Sequence, residues 1–141
     1  PTTHLRSGCR LCAYEDLKGL YSERYFKKHP DEKRTEGVLY YVRFKCGDEV
    51  FYKVGITKNT VENRFSATPK DKVSMEILGI KKTSIYEAWK SETEIQTTHG
   101  ELFRYRPSLD GAEPREYRIG PSECFSEALS DSDQKRYFDS K

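Results

Sequence analysis

The most regular pattern of hydrophobic positions lies in residues 37–67, where two apolar runs flank a polar stretch. The runs Val38-Leu39-Tyr40-Tyr41-Val42 and Val50-Phe51-Tyr52-Lys53-Val54 are rich in the β-branched and aromatic residues that favour strands. The polar stretch between them contains a glycine, as a hairpin loop requires. Gly55 ends the second run, and Asn59-Thr60 can cap a short helix. The pattern therefore predicts a β-hairpin followed by a short helix.

Two further elements follow the hairpin. Residues 72–80 predict a third strand, and Ser84 with Glu87 three positions later forms a capping box at the start of a longer helix. Gly100 is its expected stop. The apolar residues that recur at helical spacing should face the sheet; these are Ile85, Ala88, Trp89 and Ile95. We expect an α+β domain with a small, three-stranded, mostly antiparallel sheet flanked by helices.

The remaining segments give weaker patterns. Residues 1–36 form an N-terminal segment with a Cys-x-x-Cys pair and a linker helix, in which a weak helical stripe ends at His29-Pro30. The charged residues 31–34 are interpreted as a solvated linker. Residues 37–141 form the main domain, with a further short strand predicted at 115–118 and a terminal helix in the last sixteen residues.

Composition limits the classes of protein. The 141 residues suit one domain, and charged residues make up 34% of the chain, so a modest core is expected. The net charge of +2 permits nucleic-acid binding but does not argue for it. No apolar run approaches the ~20 residues of a membrane span, and no signal-peptide pattern opens the chain. We expect a cytoplasmic protein, with no membrane partner and no disulfide framework.

Cys9 and Cys12 have the spacing of one half of a tetrahedral zinc site, because a two-residue knuckle lets both thiolates face one ion. The alternative interpretation is two incidental thiols near a terminus. Structural Zn²⁺ is therefore one candidate cofactor.

The hairpin and helices also resemble the GIY-YIG nuclease superfamily, in particular its phage-type branch, over residues 37–125. Val38-Leu39-Tyr40 corresponds to the GIY element and Lys53-Val54-Gly55 to the YIG element. Residues 120–125, GPSECF, resemble the closing Gly-x-Thr-Glu-Cys-Phe of that branch. Two positions depart from the family pattern. Val38 occupies the position where the family often has a glycine, and Lys53 occupies the position where many members have the YIG tyrosine.

The resemblance implies roles for individual residues. Tyr40 would be the general base, Arg64 would stabilise the transition-state charge, and Glu94 would hold Mg²⁺ or Mn²⁺. Because side chains alternate along a strand, Lys53 shares a face with Gly55 and would either lower the pKa of a neighbouring tyrosine or bind a phosphate. Each residue has a structural alternative: Tyr40 as a core aromatic, Arg64 as a surface residue. The rivals of Glu94 are Glu87, Glu92 and Glu101. Glu123 would brace the site or pair with a basic residue.

Four further residues are candidate nucleic-acid contacts, being basic or aromatic near the predicted site: Lys58, Arg104, Tyr105 and Arg106. The resemblance implies a metal-dependent DNA endonuclease or nickase in a bacterial or phage-infected cell. A longer chain or separate targeting domain would set its specificity. Two alternatives are a catalytically inactive nucleic-acid-binding module on the same scaffold and a small zinc-stabilised interaction domain.

Overall fold

The computed structural model describes residues 21–120 and 123–138 of the 141-residue chain. Within these ranges the chain forms five α-helices, four strands and two 3₁₀ turns. In chain order they are α1 Glu23–Lys28, α2 Pro30–Lys33, β1 Glu36–Cys46, β2 Glu49–Thr57, α3 Val61–Arg64, β3 Ser74–Ser84, α4 Ile85–Phe103, two 3₁₀ turns at Leu109–Gly111 and Pro114–Tyr117, β4 Cys124–Phe125, and α5 Asp131–Tyr137.

The strands form one antiparallel sheet in the order β3-β1-β2-β4. The α+β class is confirmed, but the predicted strand number is wrong, because β4 adds a fourth strand at the edge. That strand has only two residues, which pair with Tyr52 and Lys53 of β2. So short a strand has no alternating pattern for the sequence to reveal.

The β1–β2 hairpin is present as predicted. Its turn passes through Gly47, whose φ of 62° is a conformation that glycine adopts without steric cost. The strand predicted at 115–118 is wrong, since Pro114–Tyr117 is a 3₁₀ turn. Pro114 favours the first position of such a turn because its φ is fixed and it has no N–H.

Hydrophobic packing covers both faces of the sheet, which explains why neighbouring residues of β1 are buried in succession. Tyr40, Val42 and Phe44 lie on one face, the Tyr40 face, where Phe65 and the 109–119 segment cover them. Leu39 and Tyr41 lie on the opposite face, here called the α4 face. Residues of α4 pack there against the sheet, among them Ile85, Ala88 and Ile95.

Helix α4 starts where the capping residue predicts and ends later than expected. The Ser84 side chain accepts a hydrogen bond from the N–H of Glu87. The predicted stop at Gly100 is wrong: the helix continues to Phe103. Gly100 is buried, and a Cβ there would lie 3.3 Å from Cε1 of Phe125. The glycine thus allows the helix to pass close to β4.

The segment before the sheet packs onto the α4 face. Tyr21 and Phe26 are buried there, and the Phe26 ring lies 5.1 Å from that of Tyr86. Residues 31–33, interpreted as linker, belong to helix α2, and Glu32 pairs with Lys58. The terminal helix α5 is shorter than predicted, because Ser130 caps it and Phe138 leaves helical geometry. No helix in the described part of the chain is long and apolar enough to cross a membrane.

Candidate active site

Tyr40 lies in the centre of the sheet, opposite Gly55 of β2. Its side chain is 0% exposed, and its hydroxyl has no hydrogen-bond partner in residues 21–120 and 123–138. A Cβ on Gly55 would lie only 2.4 Å from that hydroxyl oxygen. The missing side chain of Gly55 therefore provides the space that the phenol occupies. The Tyr40 ring also packs edge-on against Phe65.

Lys53 shares a strand face with Gly55, as alternation predicts, and the pairing of Gly55 with Tyr40 makes this the Tyr40 face. Tyr52 stacks against Tyr41 on the α4 face. The lysine is 1% exposed. Its Nζ donates to the carbonyl of Gly120 at 3.1 Å and to Oε1 of Glu123 at 2.9 Å. In this conformation the ammonium is held inside the protein, so a direct bond from Lys53 to a substrate phosphate cannot form.

Arg64 is the last residue of α3 and lies beside Phe65. Its Nη1 donates to the carbonyl of Arg118 at 3.0 Å, and its guanidinium lies 4.8 Å from the centre of the Phe65 ring. Because Phe65 also contacts Tyr40, one aromatic ring separates Arg64 from Tyr40. The structure therefore brings Tyr40, Lys53 and Arg64 to the same face of the sheet.

Glu94 is placed elsewhere. It is exposed on α4, where it accepts a hydrogen bond from the Tyr137 hydroxyl and pairs with Arg136 at 3.2 Å. Burial of the phenol, together with the bond to Glu94, raises the pKa of Tyr137 to about 12. Glu94 thus serves the contact between α4 and α5, and its predicted place beside Tyr40 is wrong.

Glu92, a rival of Glu94 in the sequence, faces inward. Two positions along a helix correspond to a rotation of about 200°, so the two carboxylates point in opposite directions. Glu92 lies four residues after Ala88 and three before Ile95, and it is 6% exposed. It borders a cavity of about 350 Å³, here called the Glu92 cavity. The lining residues are Trp89, Glu92, Thr93, Gln96, Thr97, Glu101, Arg104 and Glu123.

One lining residue, Glu123, connects the Glu92 cavity to the Tyr40 face. Glu123 borders the cavity and also accepts the bond from Lys53. Gln96 has both side-chain amide atoms buried and without a hydrogen-bond partner among the residues described. Sequence reasoning missed Gln96, although its position one turn after Glu92 places it on the same helix face. For Glu123 the sequence predicts a brace or an ion-pair partner, and the structure shows an ion pair with Lys53.

The donors of the Glu92 cavity fit a hydrated Mg²⁺ or Mn²⁺ ion. Mg²⁺ keeps several waters and binds through one or two carboxylates, which Glu92 and Glu123 would supply. The described ranges contain no group of three or more His, Cys, Asp or Glu residues that could form an all-protein cage. The predicted zinc ligands Cys9 and Cys12 lie outside the described residues.

The predicted nucleic-acid contacts form bonds within the chain. Lys58 pairs with Glu32, the Tyr105 hydroxyl donates to Glu49, and Arg106 pairs with Glu113 at 2.7 Å on the surface. Arg104 borders the Glu92 cavity. Of the four, Arg104 is the one that lines the Glu92 cavity, and Tyr105 packs against the Tyr40 cluster.

Glu49 organises the loop that covers part of the Tyr40 face. Its carboxylate accepts hydrogen bonds from the N–H groups of Ser108 and Leu109 at 2.7 and 2.8 Å. Burial alone would raise the pKa of Glu49, but these bonds and that from Tyr105 together lower it. The bond to Glu49 raises the pKa of Tyr105. This loop contains Leu109, which is buried against the Tyr40 cluster.

The chain was compared with protein-family models, with curated proteins and with solved structures, and none of the three comparisons found a match.

Proposed function

We propose that this protein is a divalent-metal-dependent DNA endonuclease or nickase, with Glu92 in the role predicted for Glu94. The observation that supports it most is the buried Tyr40 hydroxyl without a partner in the described residues. Leaving a buried hydroxyl without a hydrogen bond costs about 1–3 kcal/mol, so such a group usually has a functional reason. Tyr40 lies opposite Gly55 in the hairpin, and these are the residues that the resemblance assigns to the GIY and YIG elements.

The residues would divide the reaction between them. Tyr40 would orient the attacking water and accept its proton, and Arg64 would stabilise negative charge on the phosphate. Glu92 and Glu123 would hold the cation, which when bound supplies Lewis-acid chemistry at the phosphate. Arg104 would contact the DNA backbone beside the cavity.

One observation favours a second function, that of a catalytically inactive nucleic-acid-binding module. Tyr40 and Lys53 are 0% and 1% exposed, so both side chains are shielded from solvent in this conformation. Cleavage would require Tyr40 to become accessible when DNA binds. A binding module would require no such change.

A nicking assay with two glutamate variants separates these functions. Supercoiled plasmid, single-stranded DNA and branched DNA would be incubated with the purified protein and Mg²⁺ or Mn²⁺. We expect wild-type protein to nick or cut, Glu92→Gln to lose activity by about 10²-fold or more, and Glu94→Gln to keep it. Glu94 is the matched control because it lies on the same helix but outside the cavity. Binding of DNA without cleavage of any substrate would favour the binding module.

A further inference from the structure

A buried ion pair joins the Tyr40 face to the Glu92 cavity. Lys53 projects from β2, and Glu123 immediately precedes β4. Their Nζ and Oε1 atoms are 2.9 Å apart, with 1% of the Lys53 side chain and 12% of the Glu123 side chain exposed. Glu123 also borders the cavity that contains Glu92. One carboxylate therefore contacts the lysine and lines the cavity.

The backbone fixes where this pair forms. Lys53 pairs with Cys124 across the β2–β4 ladder, so the preceding residue, Glu123, is held close to the lysine. The second bond of Nζ goes to the carbonyl of Gly120. Removing two charges from water is costly, and such a pair persists when good geometry and further hydrogen bonds compensate for the loss of hydration. Both conditions are met here.

We infer that Glu123 is a second carboxylate for the cation of the Glu92 cavity and that Lys53 is a positioning residue which acts through Glu123. The inference rests on the proposed function for the identity of the ion. Lys53 donates to Oε1 of Glu123 and so fixes the orientation of this carboxylate. Because a carboxylate has two oxygens that can each accept several bonds, Glu123 can contact both Lys53 and a cation. Gln96 also lines this cavity, and its two side-chain amide atoms are buried without a hydrogen-bond partner among the described residues.

This role explains why a lysine can stand at the position of the YIG tyrosine. Lys53 does not need to reach the substrate if its effect is transmitted through Glu123. The acidic partner comes from the GPSECF segment, so the two motifs would act as one unit.

Fluorescence of Trp89 provides a test that does not depend on cleavage. It is the only tryptophan of the chain and it lines the cavity, so Mn²⁺ bound there should quench its emission. We expect saturable quenching in wild-type protein. Glu123→Gln and Lys53→Met should each raise the half-saturating Mn²⁺ concentration by about 10–100-fold, the range for ligands and their supporting residues. Glu94→Gln, on the same helix but outside the cavity, is the matched control and should change it by less than about twofold, since it removes no charge from the cavity wall.

The double variant Lys53→Met/Glu123→Gln tests whether the lysine acts through the glutamate. If it does, the double variant binds Mn²⁺ no more weakly than Glu123→Gln alone, and Glu123→Asp recovers part of the affinity. Losses that multiply would show that Lys53 acts independently and would overturn the inference. If Lys53→Met does not fold, the double variant Lys53→Met/Glu123→Met replaces it, because neither buried charge then remains. We expect its affinity for Mn²⁺ to equal that of Lys53→Met/Glu123→Gln.

The outcomes also separate this inference from the proposed function. Saturable quenching that depends on Glu123 and Lys53, in a protein that cuts no DNA, would support the cation site and refute the nuclease. Cleavage that survives Glu123→Gln, with unchanged quenching, would overturn the role of Glu123 and leave the nuclease intact. Wild-type protein without saturable quenching would also overturn the inference.

Discussion

Two adjacent tyrosines of β1 differ in a way that mutation to phenylalanine can measure. Tyr40 and Tyr41 are both 0% exposed, on opposite faces of the sheet. The Tyr41 hydroxyl accepts a hydrogen bond of 2.9 Å from the buried N–H of Leu129, whereas the Tyr40 hydroxyl has no partner in the described structure. Removing the oxygen should therefore have opposite consequences at the two positions.

The magnitudes follow from the cost of an unpaired buried polar group, about 1–3 kcal/mol. Tyr41→Phe leaves the Leu129 N–H without an acceptor, so we expect the free energy of unfolding to fall by about 1–3 kcal/mol. Tyr40→Phe removes a group that already bears this cost. We expect that variant to be as stable as wild type or more stable, by about 0–2 kcal/mol. The gain is smaller than the full cost of the unpaired hydroxyl, because the variant also loses the small van der Waals attraction of one oxygen atom.

Urea denaturation followed by circular dichroism, with equal slopes for the three proteins, would give these differences. The nicking assay supplies the second readout: Tyr40→Phe should lose cleavage despite its stability, and Tyr41→Phe should keep it. A loss of stability in Tyr40→Phe equal to that in Tyr41→Phe would show that the Tyr40 hydroxyl is hydrogen-bonded in the folded protein. That result would refute the reasoning.

Two further changes test the packing and electrostatics of the Tyr40 face. Gly55→Ala places a Cβ 2.4 Å from the Tyr40 hydroxyl oxygen, so we expect a loss of about 1–3 kcal/mol in urea denaturation, and wild-type stability would contradict the tight contact. Glu49 has a folded-state pKa below its ordinary value of 4.5, so its contribution to stability is present above pH 4.5 and is lost as the pH falls through the folded-state pKa. Thermal unfolding of Glu49→Gln from about pH 7 to about pH 3 should therefore show a shallower acid-side decline than wild type, and parallel curves would exclude this role.

Local patterns predicted much of the fold. The hairpin followed from two β-rich runs around a glycine, and the start of α4 followed from a capping serine, because these preferences depend on residues a few positions apart. The strand at 115–118 and the stop at Gly100 were predicted on equally local grounds and are wrong. In both cases the segment packs against a distant part of the chain, 109–119 on the Tyr40 face and Gly100 beside Phe125.

The sequence by itself placed Lys53 on the strand face of Gly55 and Tyr52 on the other face, because side chains alternate with a fixed period of two along a strand. The helical spacing of Ala88 and Ile95 already implies that Glu92 faces inward, but only the tertiary structure showed that Glu123 borders the same cavity. The tertiary structure also decided the partner of Lys53, which lies 70 positions away in the chain. Contacts between residues so far apart depend on how all the intervening elements pack, and no local pattern encodes them.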